Sequence, residues 1–176
     1  EKLTRLAEQL HVRIEVADKA LGRVSGKENC FAAMVYKKAE GRFDEDSPHI
    51  VLHHPSDSGN LGTILRTAEG AGVTGVILSK GCVDLYNPKT IRSTMGSVYR
   101  VPTLYTEDLR ETVELLKAHG IRSFAAHLKG VNFYDQENYR GGTAFLIGNE
   151  GNGLTEELTE QADTLIRIPM EGKLES

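Results

Sequence analysis

Three segments of the chain combine residue types that could do chemistry. The first, Ser56-Asp57-Ser58-Gly59-Asn60-Leu61-Gly62-Thr63-Ile64-Leu65-Arg66-Thr67-Ala68, joins an apolar strand to a helix through a glycine-bearing turn. Arg66 follows Asn60 by six residues. An arginine near a strand's carboxyl end can reach the crevice where open α/β sheets bind ligands. The second, Ala144-Phe145-Leu146-Ile147-Gly148-Asn149-Glu150-Gly151-Asn152-Gly153-Leu154, runs an apolar strand into a loop with three glycines and one carboxylate. Three glycines in six residues exceed what an ordinary turn needs. Such a loop lets backbone N–H and C=O groups approach a ligand closely. The third, Leu165-Ile166-Arg167-Ile168-Pro169-Met170-Glu171-Gly172-Lys173-Leu174-Glu175-Ser176, is again a strand followed by a loop, stiffened by Pro169 and loosened at Gly172.

Other chemistries find no support. Gly70-Ala71-Gly72-Val73-Thr74-Gly75 matches the dinucleotide pattern G-x-G-x-x-G, but it ends a helix and leads into a strand. The pattern holds a pyrophosphate only in the opposite order, at a helix N-terminus, so these glycines read as a helix stop and turn. Six histidines give no metal-ligand spacing, and His53-His54 are expected to point to opposite faces of a strand. No metal site is expected. Neither a hydrolase elbow nor a phosphate loop of the G-x-x-x-x-G-K-[ST] type occurs.

The elements that must position these segments follow from periodicity. Leu3–Leu10 and Ala17–Val24 read as helices, Val12–Val16 and Phe31–Tyr36 as strands. That pattern is too short for its own core and reads as the end of a small α/β domain, followed by a polar linker, Lys37–Pro48. Next come a strand at Ile50–His53, a helix from Gly59 to about Ala71 and a strand at Val73–Leu78. A short helix at Lys89–Met95, a strand at Tyr99–Leu104 and an amphipathic helix at Thr106–His119 follow. The helix has Leu109, Val113, Leu116 and Leu115 inward, Thr106 as N-cap and Gly120 as stop. Strands at Ser123–Ala126, Ala144–Ile147 and Leu165–Ile168 and a helix at Leu154–Gln161 complete the reading. Alternating strands and helices predict an α/β fold, a mostly parallel sheet covered by helices on both faces. The boundary is expected at residues 1–42 and 43–176.

The chain has 176 residues, net charge −4 and only two cysteines, Cys30 and Cys82. Without paired or metal-spaced cysteines, and with no apolar run long enough to span a bilayer, a cytoplasmic protein with reduced thiols and no membrane contact is expected. Charge is uneven: residues 1–42 carry nine Lys/Arg against six Asp/Glu, the remainder twelve against nineteen. Within that remainder Lys80, Lys89, Arg92 and Arg100 are accompanied in sequence only by Asp84. A local basic patch can bind phosphate on an acidic protein, and a solvated surface is the alternative.

In this order, the three segments resemble the three motifs of the SpoU branch of the SPOUT methyltransferases, over roughly Ile50 to Ser176. Ser93-Thr94-Met95-Gly96-Ser97 with Val101-Pro102 looks like the family's intermediate segment, and the stretch ending near Lys38 like the tail of a ribosomal-protein-like RNA-binding domain. The resemblance implies a deep C-terminal trefoil knot, which topology rules alone would not predict. It implies a homodimer acting on structured RNA, ribosomal more than transfer RNA, and transfer of a methyl group from S-adenosylmethionine to a ribose 2′-hydroxyl. Leu146, Gly148, Asn149, Gly151, Ile168, Met170 and Ser176 are implied to hold the cofactor. Arg66, Asn60 and Glu150 are implied on the reaction side. Arg66 and Ser93 are implied to contact RNA with Lys80, Lys89, Arg92 and Arg100. The family's third motif continues beyond its Ser with Leu-Asn and a helix, so an incomplete C-terminal end is expected. Two alternatives stay open: a base-nitrogen methyltransferase of the same fold and a non-catalytic RNA-binding module; a nicotinamide oxidoreductase would need the G-x-G-x-x-G loop after a strand, and that run lies before one.

Overall fold

The computed structural model describes residues 1–16, 18–25, 30–36 and 47–171. The chain divides into two compact units, Glu1–Lys38 and Ala39–Ser176. The expected linker at 37–48 falls largely outside the described residues.

The first unit contains helices α1 (Lys2–Gln9) and α2 (Asp18–Ser25). The two strands expected there are absent: Val12–Val16 and Phe31–Tyr36 are irregular backbone. Val16 is 92% and Val35 101% exposed. An apolar, β-branched stretch becomes a strand only when a neighbour accepts its hydrogen bonds, and none lies beside these segments among the described residues.

The second unit is a parallel sheet with a helical layer on each face. Its elements are β1 (Pro48–Leu52), α3 (Ser58–Gly70), β2 (Gly75–Ser79), α4 (Pro88–Ser93), β3 (Thr103–Thr106), α5 (Leu109–Ala118), β4 (Arg122–Ala126), β5 (Asn132–Phe133), β6 (Thr143–Ile147), α6 (Glu156–Gln161) and β7 (Thr164–Arg167). The strand order is β3-β2-β1-β6-β4-β7-β5, and every neighbouring pair is parallel. The period-two alternation of a strand sorts the side chains between two cores. Val51, Ile77, Ala144 and Leu146 pack with Leu109, Val113 and Leu116 of α5 and Leu158 of α6. Leu52, Val76 and Leu78 pack with Leu61, Leu65 and Ala68 of α3 on the other face. Two late strands insert between earlier ones, β6 between β1 and β4 and β7 between β4 and β5. Such insertion is in keeping with a threaded chain; residues 172–176, which end the third segment, lie outside the described residues.

Several element ends differ from the expected ones for identifiable reasons. α5 begins at Leu109 because Asp108, not Thr106, caps it, accepting from Arg110 N at 2.8 Å. The Thr106 hydroxyl is engaged with Thr112 Oγ1 at 2.8 Å instead. Leu115 does not face inward and is 59% exposed. β3 starts four residues late because Ser97–Tyr99 form a 3-10 turn, held by Arg100 N and Val101 N donating to Ser97 O. The glycine run Gly70–Gly75 is a helix stop and turn, with Gly72 at φ +73° and β2 starting at Gly75. The two-residue strand β5 carries no sequence signal and exists because β7 pairs with it.

Gly62 sets the spacing between α3 and α4. A Cβ there would lie 1.9 Å from Ser93 Oγ and 2.8 Å from Thr90 O. Gly62→Ala is therefore expected to destabilise the protein by about 2 kcal/mol or more, read as a lowered urea midpoint with an unchanged slope. An unchanged midpoint would mean the helices separate without cost.

Candidate active site

The parallel register brings the carboxyl ends of β1 and β6 together. Leu52 stands opposite Ile147, and His53 N donates to Ile147 O at 2.9 Å. The loops that follow, 53–57 and 148–153, are thus side by side, and the loop after β4 and the segment after β7 leave from the same end of the sheet.

Loop 148–153 is a tight, self-bonded turn. Asn149 and Gly153 exchange backbone hydrogen bonds at 3.0 and 2.9 Å, and Asn149 Oδ1 accepts from Gly151 N at 2.9 Å and Asn152 N at 3.1 Å. Asn149 Nδ2 donates to His54 O at 2.7 Å. The loop folds back so closely that a Cβ on Gly148 would lie 2.2 Å from Gly153 C and 2.4 Å from Leu154 N. Those obstacles are backbone and cannot rotate away. Gly148→Ala is expected to cost about 2–3 kcal/mol, read as a lowered melting temperature; retention of the parental melting temperature would contradict this close packing.

The Glu150 carboxylate joins this loop to the start of α3. Its Oε2 accepts from Ser56 N at 3.1 Å, Ser56 Oγ at 2.8 Å and Asn149 Nδ2 at 3.3 Å. Its Oε1 accepts from Asn60 Nδ2 at 3.1 Å and Asp57 N at 3.3 Å. Burial would raise its pKa, but the hydrogen bonds from its own backbone N–H, Ser56 and Asn60 outweigh that and hold it at about 2. Asp57 caps α3, accepting from Asn60 N at 2.8 Å, and its Oδ2 accepts from Lys89 Nζ at 3.3 Å. The Asn60 backbone, followed by Lys89, holds the Asp57 carboxyl below the usual range.

A cleft of roughly 200 Å³, partly open to solvent, lies beside this clamp, lined by Leu52, Pro55, Thr63, Ile64 and Ile147 around Asn60, Gly148 and Glu150. An apolar wall with one amide and one ionised carboxylate suits a ligand that is largely apolar and carries a positive charge.

The structure brings some expected site residues together and keeps others apart. Asn60 and Glu150 meet; Ile168 and Met170 stand beyond β7, exposed at 54% and 46%. Leu146 is a fully buried core residue within the sheet. The Asn149 side chain and the Gly151 N–H are engaged inside their own loop. Arg66 is exposed and does not line the cleft. At 3.6 residues per turn it lies about a third of a turn from the face carrying Asn60, Thr63 and Ile64. Ser176 lies outside the described residues.

The basic stretch is less free than its sequence neighbours imply. Lys80 pairs with Glu107 at 2.6 Å, Lys89 with Asp57 at 3.3 Å and Arg100 with Glu69 through Nη2 at 3.0 Å. Asp84 is thus not their only acidic company, because the partner carboxylates come from other elements. These pairs are exposed and weak, so the cations stay available. Arg92 has no ion pair among the described residues. The Ser93 hydroxyl lies between helices, bonded to Ser58 O at 3.2 Å and Thr90 O at 2.9 Å. His53 and His54 do not point apart: the strand ends at Leu52, His54 takes φ +49°, and the rings stack at 4.4 Å. Ser56 and Asp57 are site residues that single-position reasoning passed over; their signal was their place before Asn60 in the helix-entry turn.

Comparison with known proteins agrees with this geometry. The SpoU rRNA Methylase family matches residues 47–176. The 23S rRNA (guanosine(2553)-2′-O)-methyltransferase RlmP of Bacillus subtilis (strain 168) is 37% identical over 127 residues, covering 72% of this chain and 51% of that protein. Among solved structures, an AdoMet-bound rRNA methyltransferase from Sinorhizobium meliloti superposes with TM-score 0.71 at 36% identity, covering 76% of this chain and 51% of that one. The SpoU methyltransferase AviRb from Streptomyces viridochromogenes, in complex with AdoMet, has TM-score 0.70 at 28% identity, covering 76% and 55%. The chain spans about half the length of the curated relatives it matches. Its sheet order, its clamped second loop and the family match over 47–176 carry one conclusion: the chain belongs to the SpoU rRNA methylase family.

Proposed function

We propose that the protein transfers a methyl group from S-adenosylmethionine to a ribose 2′-hydroxyl of structured RNA, ribosomal RNA before transfer RNA, as a cytoplasmic homodimer with a C-terminal trefoil knot. The observation that carries this reading is the Glu150 clamp, which joins the glycine loop to Asn60 at the start of α3. Relatives named as 23S rRNA 2′-O-methyltransferases favour ribosomal RNA.

The residues fit a sulfonium cofactor: a largely apolar cleft with an ionised carboxylate at its rim. Gly148, Ile168 and Met170 would hold it, chiefly through backbone, and it would supply an electrophilic methyl group. A ribose hydroxyl is a weak nucleophile at neutral pH: as its oxygen takes the methyl group in line and the sulfonium leaves as a neutral thioether, its proton must pass to solvent water and its developing charge must be stabilised. Glu150, with a pKa of about 2, is too weak a base to take that proton and has its lone pairs already engaged. It positions Asn60 and the loop instead. Arg66, too strongly basic to act as a resting base, orients an RNA phosphate and stabilises the alkoxide through its planar fork. Because Arg66 lies off the cleft face, a second copy of the chain is the natural way to complete the reaction side.

The test uses methyl-labelled S-adenosylmethionine with unmodified ribosomal and transfer RNA offered separately, followed by alkaline digestion. Label in alkali-resistant dinucleotides is the expected result. Label only in mononucleotides would move the chemistry to a base, and no label on either RNA would favour a binding module.

A further inference from the structure

Three non-glycine residues adopt left-handed backbone among the described residues: His11, His54 and Met95. His54 is explained by its hydrogen bonds, its N–H donating to Ser79 Oγ at 2.8 Å and its carbonyl accepting from Asn149. Met95, at φ +50°, follows the C-cap of α4 and its N–H donates to Arg92 O at 3.3 Å, but a left-handed residue ending a helix is usually glycine. The Met95 side chain is 70% exposed, so burial does not repay the strained backbone. Nor is the turn loose. Thr94 and Ser97 on either side are buried. Thr94 Oγ1 donates to Ile91 O at 2.7 Å and accepts from Gly96 N at 3.3 Å, and Ser97 N donates to Thr94 O at 3.0 Å. An ordered turn thus presents a thioether to solvent at a position that glycine would fill with less strain.

Its surroundings identify what would touch it. Arg92 is exposed and without an ion pair among the described residues. The Arg100 guanidinium lies over the next residue, its Nη1 3.2 Å from where a Cβ on Gly96 would stand. The Tyr99 ring, one 3-10 turn further on, is 41% exposed. An apolar protein surface seated here would bury cationic groups at a desolvation cost. A nucleotide offers an apolar base face to the thioether and ring, and phosphate oxygens to the guanidinium groups.

Building on the RNA reading above, we propose that Met95 and Tyr99 form a stacking platform for an unpaired RNA base, with Arg92 holding an adjoining phosphate. Met95→Gly separates this role from folding, because glycine adopts the same backbone without strain. The measurement is filter binding of unmodified ribosomal RNA transcript at fixed salt, with melting temperature, S-adenosylmethionine affinity and sedimentation recorded for the same samples. Met95→Gly is expected to melt no lower than the parent, to bind S-adenosylmethionine equally and to bind RNA about fivefold or more weakly, the low end for one stacked base. Met95→Leu should keep most of the affinity. Parental RNA affinity in Met95→Gly would overturn the platform alone. A smaller sedimenting species would overturn it in favour of a contact between copies. A parent protein that binds no RNA would overturn the platform together with the functional reading beneath it.

Discussion

Arg66→Ala is expected to lower kcat for RNA methylation by about 10²–10³-fold, the scale seen when one donor aimed at a developing oxyanion is removed. Arg66 makes no ion pair among the described residues and stands exposed on α3, so its loss should leave the melting temperature and S-adenosylmethionine affinity at parental values. Arg66→Lys distinguishes charge from geometry. Lysine keeps the positive charge but presents a point donor where arginine presents a planar fork. Its kcat is expected to stay at least about tenfold below the parent's, the lower range for one lost transition-state interaction. Near-normal turnover of Arg66→Lys in a single-turnover assay would remove the bidentate role, and near-normal turnover of Arg66→Ala would remove Arg66 from the chemistry.

Glu150→Gln is expected to damage activity for a different reason. The carboxylate accepts from Ser56, Asp57, Asn60 and Asn149, and two or more donors point at each oxygen. Whichever way a glutamine amide is turned, its NH₂ group faces donors, so both the loop and Asn60 must shift. A fall in kcat of about tenfold or more is expected, in line with misplacement of groups that position a reaction. The stability loss should be nearer 1 kcal/mol, since the group is exposed and solvent screens its bonds. The pH dependence has a definite sign. The folded-state pKa of about 2 lies below the ordinary 4.5. Glu150 therefore contributes stability that is fully present above pH 4.5 and is lost as pH falls toward 2. Acid unfolding curves of parent and Glu150→Gln should converge as pH falls through that window. A constant gap down to pH 2 would show that the carboxylate charge is not what the clamp uses.

Much of the second unit was legible because its signals are local. Glycine stops, the Asp-Ser-Gly-Asn helix entry and the amphipathic pattern of α5 act over a few residues, and the elements stand within a few residues of the expected positions. The G-x-G-x-x-G run was rightly dismissed on order alone, as Gly70 ends α3 and Gly75 begins β2. The strands expected at Val12–Val16 and Phe31–Tyr36 failed because strand formation depends on a partner for the backbone, which hydrophobicity does not supply. The basic stretch misled for a related reason. Its counter-charges Asp57, Glu69 and Glu107 come from outside that stretch and meet Lys89, Arg100 and Lys80 only once the chain is folded.

By itself, then, the sequence determined the alternating α/β architecture, the three strand-to-loop segments and their family likeness, because helix caps, glycine turns and side-chain alternation are short-range effects of residue type. Tertiary structure alone decided that Glu150 clamps Ser56, Asp57 and Asn60, that Arg66 lies off the cleft face, and that Met95 is held out on strained backbone. Those facts depend on β6 pairing with β1 across more than ninety residues of chain, a long-range parallel register that no local pattern specifies.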